Sequence, residues 1–113
     1  MKNQVRILVV DDGEPIREIM AVILGSEGFR CQSVPSGVDA LKLLESGERF
    51  DLITSDIVNP GMDGHSFLKE VRHRFPEIPT LVITECRDIP GSLLKPFERE
   101  QLVLAVRHAL DGV

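Results

Sequence analysis

The sequence has 113 residues, 42% hydrophobic and 27% charged, proportions that suit one compact domain over 1–113 and exclude a disordered, collagenous or membrane-spanning chain. Eighteen acidic against 13 basic side chains give a net charge of −5, which argues against nucleic acid as a direct partner, since phosphate-backbone binders lean basic. Cys31 and Cys86 are too few for a disulfide scaffold and lack metal-type spacing, so free thiols, a cytoplasmic location and no membrane contact are expected.

The run Val5 to Val10, stopped by Asp11, Asp12 and Gly13, predicts a strand buried on both faces. From Pro15, the apolar residues Ile16, Ile19, Met20, Ile23 and Leu24 repeat at helical spacing, with Gly25 and Gly28 at the exit. Phe29 to Val34 predicts a second strand. Ser36 with Asp39 three residues on caps a second helix through Val38, Leu41 and Leu44, closed by Gly47. Phe50 to Ser55 predicts a third strand, and Pro60, Gly61 and Gly64 make the stretch from Asp56 a loop. A third helix presents Phe67, Leu68, Val71 and Phe75 and stops at Pro76. Thr80 to Thr84 and Ser92 to Lys95 predict two more strands, and a last helix after Pro96 carries Leu102, Val106, Ala109 and Leu110 on one stripe. Strands alternating with helices imply an α/β class with a parallel sheet and helices on both faces.

Ligands of open α/β sheets bind beyond the carboxyl ends of the strands. Those ends carry Asp11 and Asp12, then Asp56, Thr84 and Lys95. Three carboxylates together repel unless a cation shares the site, and an all-oxygen set suits Mg²⁺. The lysine and the threonine hydroxyl suit phosphoryl oxygens. Other features have plainer readings: His65, His73 and His108 as solvated helix residues, Cys86 as a small side chain near the site, and Glu98, Arg99 and Glu100 as the solvated first turn of the last helix.

Taken in order, ILVVDD (Ile7 to Asp12), DIVNPGMDG (Asp56 to Gly64), VIT (Val82 to Thr84) and LKPF (Leu94 to Phe97) resemble the markers of bacterial response-regulator receiver domains, over essentially the whole chain. The resemblance implies a flavodoxin-like five-stranded parallel sheet in the order 2-1-3-4-5. It implies Asp56 as the acceptor of a phosphoryl group from a phosphohistidine on a sensor histidine kinase or phosphotransfer protein. It further implies Mg²⁺ held by Asp11, Asp12, Asp56 and the Val58 carbonyl, and phosphoryl contacts from Thr84 and Lys95, with the Lys95–Pro96 bond commonly cis.

The sequence departs from that family in several places. Asn59 stands where Met or Leu is usual, Glu85 replaces a small residue, and Ser92 replaces the switch tyrosine or phenylalanine. Only ten residues separate Thr84 from Lys95, and Asp88, Pro90 and Gly91 break helical structure, so the family's helix between the fourth and fifth strands is expected to be missing. The uncovered strip would expose Leu81, Ile83, Leu93 or Leu94, and a homodimer would cover it. Val58 and Cys86, at the positions that place an attacking water in the family, suggest slow loss of phosphate. The expected function is therefore a stand-alone phospho-acceptor that signals by protein contact, not an enzyme in the ordinary sense. The alternatives are a degenerate receiver acting as a binding module, and a Mg²⁺-dependent aspartyl phosphohydrolase, whose D-x-D pattern is not matched by adjacent Asp11 and Asp12. A flavin site is disfavoured by the lack of Trp and Tyr.

Overall fold

Ile7, Leu8, Val9 and Val10 are all buried, as a strand covered on both faces requires, and they form most of β1 (Arg6–Val10). The computed structural model describes residues 4–57, 64–87 and 89–111. After β1 come α1 (Glu14–Ser26), β2 (Arg30–Val34), α2 (Gly37–Glu45), β3 (Leu52–Ser55), α3 (Gly64–Arg74), β4 (Thr80–Thr84), β5 (Leu93–Leu94) and α4 (Arg99–Leu110). The strands are parallel in the order β2-β1-β3-β4-β5.

Alternation along the strands divides the core in two. Ile7, Val9, Leu52, Leu81 and Ile83 pack under α1 and α4 against Met20, Leu24, Leu102 and Val106. Leu8, Val10 and Ile53 pack under α2 and α3 against Leu41, Phe67 and Val71. Local chemistry sets the element ends. The Ser36 hydroxyl accepts the Asp39 N–H at 3.2 Å and caps α2, as the spacing predicts. β3 begins two residues later than the hydrophobic run suggests, because Asp51 turns its carboxylate to the Arg6 N–H (2.8 Å) and Phe50 takes the Arg6 guanidinium over its ring. Arg99 does more than face solvent: its guanidinium reaches Ser26 Oγ at 2.7 Å and Glu27 at 2.8 Å, tying α4 to α1.

Between β4 and β5 the described residues form no helix. Ile89, Pro90, Gly91 and Ser92 instead make a tight turn in which the Ser92 N–H and hydroxyl both donate to the Ile89 carbonyl, at 3.3 and 2.8 Å. Gly91 adopts φ +78°, the left-handed value that a Pro-Gly turn of this kind demands. The exposure expected of Leu81 and Ile83 is wrong. Both side chains lie on the opposite face of β4, under α4, at 6% and 2% exposure. The face that lost its helix carries half-buried Val82, and Ile89 folds back onto the α2–α3 cluster beside it. Leu93 packs with the other cluster, which leaves Leu94 as the exposed member of the four.

Candidate functional site

The sheet brings the strand-end residues together through its register. Val10 pairs with Ser55 and Thr84 with Leu94, so Asp11, Asp56 and Lys95 each begin the segment leaving a strand at one end of the sheet. Backbone bonds hold these exits: Asp11 N–H to the Val34 carbonyl at 3.2 Å, Asp56 N–H to the Val10 carbonyl at 3.3 Å, and Lys95 N–H to the Thr84 carbonyl at 2.9 Å.

The Lys95 ammonium donates to Asp11 Oδ2 at 2.6 Å and to Asp56 Oδ2 at 2.8 Å, distances of charge-assisted bonds. All three side chains are largely shielded from solvent, with 16%, 6% and 12% exposure for Lys95, Asp11 and Asp56. Burial by itself would lower the lysine's pKa, but the hydrogen bonds and charges of Asp11 and Asp56 outweigh it and hold the ammonium above its ordinary value. The other oxygens are engaged by backbone donors. Asp11 Oδ1 accepts the Gly13 N–H at 2.9 Å, and Asp56 Oδ1 accepts the Ile57 N–H at 2.6 Å.

Thr84 is buried, and its hydroxyl accepts the Cys86 N–H at 3.3 Å. Asp12 is exposed. Among the described residues no three acidic, histidine or cysteine side chains gather as a metal-holding group, and the structure joins Asp11, Asp56 and Lys95 directly. Val58 and Asn59 lie outside the described residues, as does Asp88. The donor chemistry still fits a hard divalent ion: Asp11 and Asp56 offer oxygen ligands and already converge on a positive charge, that of Lys95.

Two participants escape the strand-end reading. The Arg17 guanidinium donates to the Asp11 carbonyl at 2.7 Å, bracing the exit of β1 from the first turns of α1. The Ser55 hydroxyl, on a residue 1% exposed, donates to the Asp56 carbonyl at 2.7 Å. A hydroxyl at the last position of a fully buried strand, directly before Asp56, was the available signal for Ser55. A cation on the first turn beyond an acidic pair was the signal for Arg17.

The Lys95–Pro96 peptide is cis, as the resemblance implies, and the departures also find places. Glu85 is exposed and lines an open groove of about 560 Å³ with Arg87, Ser92, Lys95, Pro96 and Gln101. Ser92, where an aromatic switch residue is usual, is committed to the turn at Ile89.

A family model for the response regulator receiver domain matches residues 7–107. The chain belongs to that family. Among its relatives are the response regulator protein FleR of Pseudomonas aeruginosa, 35% identical over 117 residues that cover 93% of this chain and 24% of FleR. The DNA-binding transcriptional regulator NtrC of Escherichia coli is 31% identical over 116 residues, 93% of this chain and 24% of NtrC. Sensor kinase CckA of Brucella abortus is 31% identical over 98% of this chain and 13% of its own length. The receiver chain thus spans about a quarter or less of the length of these curated relatives. Among solved structures, chemotaxis response regulator CheY4 of Vibrio cholerae superposes with a TM-score of 0.86 at 28% identity, covering 95% of this chain and 99% of CheY4. The signal receiver domain of an HD domain-containing protein from Pseudomonas fluorescens gives 0.89 at 27% identity, with 97% of both chains covered. Receiver domains are the signalling phospho-acceptors of two-component systems, which sets aside the phosphohydrolase and flavin readings for this chain.

Proposed function

We propose that this receiver accepts a phosphoryl group on Asp56 from a phosphohistidine of a sensor histidine kinase or phosphotransfer protein, in a Mg²⁺-dependent reaction in the cytoplasm, and relays the signal by protein contact. The observation that carries this reading is the Lys95 ammonium shared between Asp11 and Asp56. It sets one positive charge against both carboxylates and stands where phosphoryl oxygens arrive.

In the transfer, a carboxylate oxygen of Asp56 attacks phosphorus in line with the donor nitrogen. The P–O bond forms as the P–N bond breaks, and the departing electron pair stays with the imidazole. Lys95 donates to a phosphoryl oxygen, and the buried Thr84 hydroxyl donates to another. Asp11, Asp12, Asp56 and the carbonyl of Val58 are the groups that would hold Mg²⁺, which supplies charge neutralisation between the carboxylates and the phosphoryl oxygens.

The test is to treat the protein with acetyl phosphate and Mg²⁺ and weigh it. A single phosphoryl adduct is expected in the wild type, absent in Asp56→Asn and absent with EDTA. No adduct in the wild type overturns the acceptor reading in favour of a binding module, and an unchanged adduct in Asp56→Asn moves the acceptor elsewhere.

The phosphorylated form is expected to decay slowly, because Val58 offers no hydrogen bond to an attacking water and the Cys86 thiol only weak ones. Val58→Asn is the variant that checks this: faster decay supports it, and an unchanged rate refutes it. A homodimer keeps less support than the sequence suggests, since Leu94 alone of the four expected residues is exposed. Sedimentation at tens of micromolar decides between monomer and dimer.

A further inference from the structure

Taking Asp56 as the acceptor, the reading on which this step rests, we infer that Ser55 is a positioning residue that sets the orientation of the Asp56 carboxylate. The peptide unit joining Asp56 to Ile57 is a rigid plane, with the Asp56 carbonyl on one edge and the Ile57 N–H on the other. Both edges are held. The Ser55 hydroxyl donates to the carbonyl at 2.7 Å, and the Ile57 N–H donates to Asp56 Oδ1 at 2.6 Å. Fixing the tilt of that plane from the carbonyl side therefore fixes where the N–H points, and with it the rotation of the carboxylate.

The result is a division of labour between the two carboxylate oxygens. Oδ1 is engaged by the backbone, and Oδ2 faces the Lys95 ammonium at 2.8 Å. Ser55 is 1% exposed and Ile57 is buried in the α2–α3 cluster, so each anchor of the plane belongs to the packed interior. The hydroxyl donates its bond to the Asp56 carbonyl. It acts through the backbone, and positional errors of this kind slow transfer without removing any reacting group.

The experiment uses Ser55→Ala and Ser55→Thr in the full chain, with two readouts. The first is the rate of Asp56 phosphorylation by acetyl phosphate at saturating Mg²⁺. The second is the amide proton shift of Ile57 in the unphosphorylated protein, which a short bond to a carboxylate moves downfield. Ser55→Ala is expected to slow phosphorylation about fivefold to tenfold, the scale of one neutral hydrogen bond. The same variant should move the Ile57 amide upfield, while Ser55→Thr restores both. Should the threonine methyl prevent folding, Ser55→Cys takes its place, with values between those of serine and alanine. A Ser55→Ala protein with a wild-type rate and an unmoved Ile57 amide overturns the inference. So does a slower rate with the amide unmoved. A wild type that takes no phosphoryl group at all defeats the acceptor reading instead, and the Ile57 amide then decides the positioning role by itself.

Discussion

Lys95 holds one positive charge between two carboxylates in a place where little water remains to do the same work. Removing it leaves Asp11 and Asp56 facing each other, and an uncompensated pair of shielded charges is destabilising even where the ion pair itself contributes little. Lys95→Met is expected to lower stability on the order of 2 kcal/mol in EDTA, less than for a fully enclosed pair because these groups retain some exposure. Millimolar Mg²⁺ should recover part of the loss by putting a cation back between the carboxylates. Thermal unfolding of wild type and variant with and without Mg²⁺ checks this, and a variant as stable as the wild type in EDTA contradicts it. At this scale the sequence was informative where chemistry is rare. Acidic residues and a lysine closing successive strands pointed to one end of the sheet, where Asp11, Asp56 and Lys95 meet. Ser55 and Arg17 were harder to read, because both act through carbonyl groups, which a hydroxyl closing a strand or a cation in the first turn of a helix does not by itself display.

The segment between β4 and β5 shows how an element can be replaced without leaving its neighbours bare. Pro90 and Gly91 announced the end of helical structure, but only the packing reveals that Ile89 returns to the core. The misplacement of Leu81 and Ile83 has a definite cause. Alternation tells which residues share a face of β4, whereas assigning that face to a helix requires knowing which crossover lies on which side. Two glycines test the elements separately. Gly91 at φ +78° has nothing within 4 Å of an added Cβ, so Gly91→Ala is expected to cost about 1 kcal/mol from backbone strain alone. At Gly37, an added Cβ would lie 3.0 Å from three side-chain carbons of fully buried Phe67, where α2 meets α3. Gly37→Ala should therefore cost more, about 2 kcal/mol, through overpacking. Urea unfolding of the two variants distinguishes them, and equal small losses would mean that Phe67 gives way.

For the molecule as a whole, stability is expected to fall toward alkaline pH. Burial pushes the Cys31 thiol up from about 9 to about 11. A thiol held neutral in the folded chain contributes stability that is complete below the unfolded value near 9 and is lost as pH rises toward 11. Allowing for its partial exposure, the loss is about 1 kcal/mol. Lys95 acts in the same direction, since its ammonium is favoured in the folded state and its contribution disappears once pH passes the raised value. On the acid side, hydrogen bonds from Arg107 and Arg99 hold the Glu27 carboxyl below its ordinary value, so the link between α1 and α4 weakens as pH falls through the carboxylate range. Melting curves from pH 8 to 11 should show a shallower decline in Cys31→Ala than in the wild type, and parallel declines would remove the thiol from the account.

The short strand β5 gives the sheet an uneven strength. It pairs with β4 over Ile83–Leu93 and Thr84–Leu94, between the turn at Gly91 and Pro96. With so few buried contacts, this margin belongs to the part of a protein that opens below the global unfolding free energy, and its amides should exchange with solvent deuterium well before those of β1 and β3. Lys95 leaves directly from that margin, so each opening withdraws the ammonium from Asp11 and Asp56. Closure of the margin and neutralisation of the carboxylates are thus one equilibrium, and the protection factor of the Lys95 amide becomes a gauge of the charge held at the acceptor.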